Sequence, residues 1–107
     1  MAVKRIWRGW TTPGNAGAYR AILLGEVLSG IEAKEIEGYR GIEVLERDLG
    51  TETEFVTIMT FDSLQSVIDF QGEDYELAYV PEVARRVLER WDLRSAHYDV
   101  LDVRSYS

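Results

Sequence analysis

Phe55-Val56-Thr57-Ile58-Met59-Thr60-Phe61 is the stretch that decides the fold of this chain. Side chains along a strand alternate between two faces, so the odd-numbered residues share one face and Val56, Ile58 and Thr60 share the other. Both faces are largely apolar, whereas a strand with water on one side alternates apolar and polar residues. The pattern predicts a sheet with a packed layer on each face. A chain of 107 residues has only enough helix for one layer, so we expect a second subunit to supply the other.

The composition predicts one compact domain spanning residues 1–107, because 46% hydrophobic and 29% charged residues are typical of globular proteins. The chain has 12 basic and 19 acidic residues, a net charge of −7, so we expect neither nucleic acid nor an anionic membrane as a partner. The absence of cysteine excludes disulfides, thiolate zinc sites and iron–sulfur clusters. No signal peptide and no run of roughly 20 apolar residues is evident, which predicts a cytoplasmic protein.

The first half of the chain predicts a strand, a helix and a hairpin. The strand covers residues 4–10, and Thr12 and Pro13 form a helix start, with Thr12 as N-cap and Pro13 in the first turn. The helix is expected to run to about Leu28, with Gly30 as its terminator and residues 31–38 as a connector. Two strands, over residues 39–47 and 52–61, are predicted to pair through the turn at residues 48–51.

The second half predicts a broken helix and a last strand. Asp62 and Gln65 have the spacing of a capping box, and the helix that follows is expected to bury Leu64, Val67 and Ile68. Residues 71–74 interrupt the helix, and a second piece is predicted from Pro81 with an apolar period that reaches Trp91. A final strand is predicted over residues 95–103. The order β-α-β-β-α-β is that of an α+β, ferredoxin-like fold, with both helical layers on one side of a four-stranded antiparallel sheet.

Two segments resemble a known family. FDSLQSVIDFQGEDYELAYVPE at residues 61–82 and HYDV at residues 97–100 are similar to the antibiotic biosynthesis monooxygenases, within a likeness that extends from Arg5 to Asp102. The resemblance implies a homodimer in which two sheets pack face to face into an α/β barrel, with a cavity in each subunit. It also implies a mixed range of activities, which includes cofactor-free oxidation of aromatic polyketides and heme degradation.

No cofactor is expected. The heme-degrading members of such families use an asparagine on the first strand, a tryptophan at the end of the third strand and a histidine on the next helix. The corresponding positions hold Trp7 or Gly9, then Phe61, and then the acidic segment Glu73-Asp74-Tyr75, so none of the three matches. A single histidine and the lack of a glycine-rich phosphate loop also predict a protein without heme, flavin or a tightly bound transition metal.

His97 is the candidate general base, because histidine alone titrates near neutral pH without perturbation. Asp99 lies two residues further on the same strand face, where a carboxylate could orient the imidazole, so the predicted catalytic pair is His97 and Asp99. The alternative is a structural hydrogen bond of His97 at the sheet edge or the dimer interface. Four aromatic residues are predicted either to line a substrate cavity or to serve only as core: Trp7, Phe61, Tyr75 and Tyr79.

Two classes of function follow from these residues. The first is a cofactor-independent monooxygenase acting on a small apolar or aromatic metabolite, which supplies electrons to oxygen once it is deprotonated. The second is a non-catalytic dimer that binds a small molecule or assists a pathway enzyme. A deep pocket that includes His97 would favour the enzyme, and a filled interior with His97 at the dimer interface would favour the second class.

Overall fold

The computed structural model describes all residues from Met1 to Ser107, which form an antiparallel sheet and a helical layer. The strands are β1 (Val3–Thr11), β2 (Tyr39–Asp48), β3 (Thr53–Phe61), β4 (Arg90–Trp91) and β5 (Ala96–Asp99). A 3-10 turn (Pro13–Asn15) leads into helix α1 (Ala16–Ile22), which continues through a π-helical segment (Leu23–Val27) into α2 (Leu28–Ala33). The remaining helices are α3 (Leu64–Gln71) and α4 (Glu82–Arg85).

The strand order confirms the ferredoxin-like, α+β prediction. β2 pairs with β3, β3 pairs with β1, and β4 and β5 follow each other along the other edge of β1. All of these pairings are antiparallel. Two short strands, β4 and β5, therefore share the edge position beside β1. β4 pairs with the end of β1 at Gly9 and Trp10, and β5 pairs with its beginning.

One face of the sheet carries the hydrophobic core. The residues that β1 and β3 contribute to it are Val3, Trp7, Phe55, Met59 and Phe61. Side chains of the helical layer pack on them, chiefly Tyr19, Leu23, Val27, Ile31, Val67, Phe70 and Ala84. The opposite face carries Ile6, Val56 and Ile58, which lie outside this core cluster and are half-exposed. We call this second face the open face.

The first helix begins as predicted and ends later than predicted. The Thr12 side chain accepts a hydrogen bond from the Asn15 backbone N–H at 3.3 Å, which confirms the N-cap. The predicted end near Leu28 is wrong, because α2 continues through Gly30 to Ala33. Ile31 explains the difference, since it packs into the core and tertiary burial outweighs the low helix propensity of a single glycine.

The second helical region differs from the prediction in three places. Ser63 caps α3 by accepting from the Ser66 N–H, whereas Asp62, the predicted cap, forms an ion pair with Arg40. Leu64, expected to be buried, is exposed. The predicted helix from Pro81 to Trp91 shortens to the four residues of α4. Its apolar period is still satisfied at Val80, Ala84 and Leu88, which are all buried. Trp91 instead pairs with Gly9 in the sheet.

The last strand is also shorter than predicted. It starts at Ala96 and ends at Asp99 rather than covering residues 95–103, and the residues after 100 are exposed. β1 explains this limit, because Asp99 is paired with Val3, the first residue of β1. Beyond that pair, only one further backbone hydrogen bond, from the Val100 N–H to the Ala2 carbonyl, joins the segment to β1.

We expect Gly38→Ala to destabilise the fold more than Gly50→Ala. Both glycines have positive φ angles, +86° and +89°, where an alanine costs about 1–2 kcal/mol. A Cβ at residue 38 would also lie 2.2 Å from the Ser66 hydroxyl oxygen, whereas nothing lies within 4 Å at residue 50. Overpacking of this kind adds about 1–3 kcal/mol. Urea unfolding of both variants measures the difference, and equal losses of stability would contradict the close contact.

Candidate functional site

A cavity lies between the core face of the sheet and the helical layer. Its mouth is open to solvent, and eleven of its fifteen lining residues are hydrophobic. The apolar wall comes from the first helical region and from the sheet, and its main members are Tyr19, Leu23, Val27, Ile31, Trp7 and Met59. An apolar cavity with few polar groups is the usual form of a small-molecule site, in which the polar groups set the ligand's orientation.

Arg5 is the main polar group of the cavity. Its side chain is 3% exposed and donates to the backbone carbonyls of Tyr75 and Leu77. The guanidinium forms no ion pair with any carboxylate. Burial lowers the pKa of Arg5 to about 10, so the group is still a cation at neutral pH. The cavity therefore contains a buried positive charge that no acidic side chain balances.

The register of β1 explains how a charged residue reaches the core face. Alternation places Arg5 between Val3 and Trp7 on the face that the helices cover, and the pairing sets it opposite Met59 of β3 and His97 of β5. Arg5 is not among the site residues predicted from the sequence. The sequence nevertheless contained an indication of this site, because Arg5 is the single charged residue on an otherwise apolar face of the first predicted strand.

Ser95 is a second buried polar group of the cavity. It is 4% exposed, and its hydroxyl oxygen has no hydrogen-bond partner. It directly precedes β5 and lines the same cavity as Arg5. No sequence pattern indicated this position, because the burial of Ser95 depends on how the two edge pieces of the sheet approach β1.

His97 lies beside the cavity and does not line it. Its Nε2 atom is 2.9 Å from Nη1 of Arg5, and because arginine can only donate, Nε2 accepts this hydrogen bond. The other ring nitrogen, Nδ1, is buried and has no partner. Burial and then the Arg5 cation lower the pKa of His97, an effect that the Glu76 carboxylate and the Ser95 backbone oppose in part. These surroundings favour the neutral form of the imidazole.

The structure does not bring the predicted pair together. Asp99 shares the strand face of His97, as expected, but it is paired with Val3, is exposed and forms no hydrogen bond with the imidazole. The imidazole is hydrogen-bonded instead to Arg5 on the adjacent strand. Tyr75 completes the surroundings of His97, with the two rings edge to face at 5.1 Å.

Two of the four predicted aromatic residues line the cavity. Trp7 and Tyr79 are lining residues, and the Trp7 indole N–H donates to the Asp92 carbonyl at 2.9 Å. Phe61 is fully buried against Tyr39 and Phe70 and belongs to the core. Tyr75 packs against His97 outside the cavity lining.

Lys34 adds a second cation close to the cavity. Its ammonium nitrogen lies 4.3 Å from the ring centre of Phe70 and 4.9 Å from that of Tyr79, and both rings line the cavity. Burial and the nearby Arg5 charge lower the pKa of Lys34.

The chain has no group of three or more His, Cys, Asp or Glu side chains arranged to hold a metal ion. Its helices are too short or too polar to cross a bilayer.

Solved structures with this fold match the chain over nearly its whole length. A proposed antibiotic biosynthesis monooxygenase from Bacillus cereus matches with a TM-score of 0.71 and 14% identity, covering 100% of this chain and 98% of the other. Rv0793 from Mycobacterium tuberculosis gives 0.66 and 24%, covering 98% and 100%. SnoaB, a cofactor-independent oxygenase from Streptomyces nogalater, gives 0.55 and 11%, covering 95% of each chain.

These matches confirm the resemblance at the level of the fold. The TM-scores show a shared fold, and sequence identities of 11–24% do not extend the likeness to the chemistry. No family model matches the sequence, and no curated protein does.

We expect His97→Gln to weaken the acid sensitivity of the fold. The folded-state pKa of His97 is lowered, so its contribution to stability is complete above the ordinary value of 6.5 and is lost as the pH falls below it. Glutamine can still accept from Arg5 and does not titrate. Urea unfolding at pH 7.5, 6.5 and 5.5 compares the two proteins. Parallel losses of stability on acidification would show that His97 does not carry this pH dependence.

Proposed function

We propose that this protein binds a small apolar, aromatic metabolite in the cavity and oxygenates it without a cofactor. The observation that carries the proposal is the cavity itself, with eleven hydrophobic residues among its fifteen lining residues and only a few polar groups. The fold it shares with SnoaB, whose description is that of a cofactor-independent oxygenase, supports the reaction class.

The reaction requires a substrate that forms a carbanion. A carbon acid, such as a hydroxylated anthrone, loses a proton, and the carbanion donates electrons to O₂ to form a carbon–oxygen bond. A second proton leaves that carbon as the O–O bond breaks, so the products are a ketone and water. The substrate is the only reductant, and one oxygen atom enters the product. Apolar walls favour this course because they exclude water from the reactive intermediate.

A second candidate function is binding without turnover. The observation that favours it is the position of His97, which does not line the cavity and whose Nε2 is bonded to Arg5. His97 acts as a base only if Arg5 releases this nitrogen. Asp99 takes part only if its exposed carboxylate approaches the imidazole.

Oxygen uptake with a hydroxylated anthrone separates the two candidates. We expect the protein to raise oxygen consumption above the spontaneous rate and to form the corresponding quinone. If His97 is the base, His97→Ala lowers turnover by about a hundred- to ten-thousand-fold, the usual contribution of such a group.

His97→Gln is the matched control for the contact with Arg5. Equal losses in the alanine and glutamine variants indicate proton transfer, whereas activity retained by the glutamine variant indicates that His97 only positions Arg5. A ligand that raises the melting temperature with no oxygen uptake would refute oxygenation of that compound and support the binding function.

We further propose that the functional unit is a homodimer joined through the open faces of two sheets. Ile6 and Ile58 are directly paired across β1 and β3, with Val56 beside them on the same face. All three are half-exposed, and Leu45, opposite Val56 on β2, is 45% exposed. A second sheet on this face would bury these side chains and satisfy the two-sided apolar pattern of β3.

We expect Ile58→Lys to break the dimer, because it would place a charge at the centre of an apolar interface. Leu24→Lys is the matched control, since Leu24 is 53% exposed and lies on the π-helical segment, away from the open face. Sedimentation at micromolar concentration reports the mass. A wild-type mass near the 12.3 kDa of one chain would rule out the dimer.

A further inference from the structure

We propose that Arg5 and Ser95 form an oxyanion-binding site inside the cavity, so that the ligand is an apolar molecule carrying a carboxylate or a similar oxyanion. The inference rests on the proposed function in one respect, that the cavity binds a small apolar molecule. It adds the charge of the ligand and the side chains that recognise it.

Arg5 has no counter-ion in the protein. Every other arginine except Arg85 forms an ion pair with a carboxylate, and Arg85 is exposed to water. Arg5 is the buried one, and its neighbours are two carbonyls, a neutral imidazole and the Phe70 ring. Buried charges are ordinarily paired, so an unbalanced buried cation on a cavity wall indicates that the balancing charge comes with the ligand.

Arg5 also has hydrogen-bond donors that the protein does not use. A guanidinium carries five N–H groups, and three of them are used, by Tyr75, Leu77 and His97. The Nε–H and one N–H of Nη2 have no protein partner. These two nitrogens form one edge of the planar fork, and parallel donors on such an edge match the two oxygens of a carboxylate.

Ser95 provides independent evidence for a ligand at this position. Its hydroxyl is buried and has no partner in the protein, and the residue lines the same cavity as Arg5. A buried hydroxyl is normally hydrogen-bonded, and here the cavity is the space from which a partner can come. An oxyanion accepts hydrogen bonds from a hydroxyl and from a guanidinium alike.

The surrounding charges favour the same ligand. Lys34, near the rings of Phe70 and Tyr79, adds a second positive charge close to the cavity. The acidic side chains of the nearby segment, Asp74 and Glu76, are both within ion-pair distance of Arg94. The chain as a whole carries a net charge of −7, but this small positive region attracts anions to the cavity.

The test compares two ligands of the same shape and different charge. 2-Naphthoate and 2-naphthamide each present a planar aromatic body, but only the first carries an oxyanion at pH 7.5. Calorimetric titration of the wild-type protein is expected to show that naphthoate binds about tenfold or more tightly than naphthamide, as charge-assisted hydrogen bonds exceed neutral ones.

Four variants locate the site. Ser95→Ala and Arg5→Met are expected to reduce the preference for naphthoate. Thr11→Val is the matched control for the serine, because Thr11 is also buried with an unpartnered hydroxyl and does not line the cavity. Arg86→Met is the control for the arginine, because it removes the same charge from an exposed site. Both controls are expected to keep the preference.

The outcomes separate this inference from the function on which it rests. Ser95→Ala removes a hydroxyl that makes no bond in the protein, so it is expected to fold even if Arg5→Met does not, and a thermal melt checks this. Equal affinity for the two ligands in the wild type overturns the oxyanion site and leaves the apolar cavity intact. Binding of neither ligand overturns both proposals. A preference that survives Ser95→Ala and Arg5→Met, or that Thr11→Val and Arg86→Met remove, assigns the anion to another place and also overturns the site.

Discussion

The register between β1 and β3 is the constraint on which the rest of the structure depends. Nine consecutive residue pairs, from Val3 with Phe61 to Thr11 with Thr53, fix which side chains face the helices. A shift by one residue would turn every side chain of β1 to the opposite face. Trp7 would then leave the core, and Arg5 would leave the cavity. The hydrophobic core and the polar end of the cavity are therefore set by the same pairing.

The same register also places a charge on the buried face of the sheet. Arg5 stands in a row with Val3 and Trp7, and its burial lowers its pKa to about 10. The carbonyls of Tyr75 and Leu77 offset part of this desolvation cost, and in doing so they hold the irregular segment after α3 against β1. The guanidinium thus organises the wall of the cavity and leaves part of its donor capacity unused.

Strand pairing decides which side chains meet in a site, as His97, Asp99 and Arg5 show. Period-two spacing correctly put His97 and Asp99 on one face, but it could not show what lies across from them. The pairing sets Arg5 opposite His97 and Val3 opposite Asp99, so the imidazole meets a cation and not a carboxylate. Burial and that neighbour lower the pKa of His97, and the guanidinium occupies the nitrogen that a general base would use. A partner on the adjacent strand acts at closer range than a residue two positions along the same strand.

The sequence by itself determined the ferredoxin-like order, the hairpin of β2 and β3 and the start of the first helix at Thr12. These features follow from local periodicity and from capping chemistry. It left open whether Trp7 and Tyr79 line the cavity or only fill the core. Only the tertiary structure decided that the first helix continues past Gly30, that Trp91 belongs to the sheet, that Phe61 is core and that Arg5 and Ser95 are buried polar groups of one cavity. The reason is that each of these depends on contacts between residues far apart in the chain. The buried groups, the charge and the unpaired hydrogen-bond donors of the cavity come together only when β1 pairs with β3, β4 and β5.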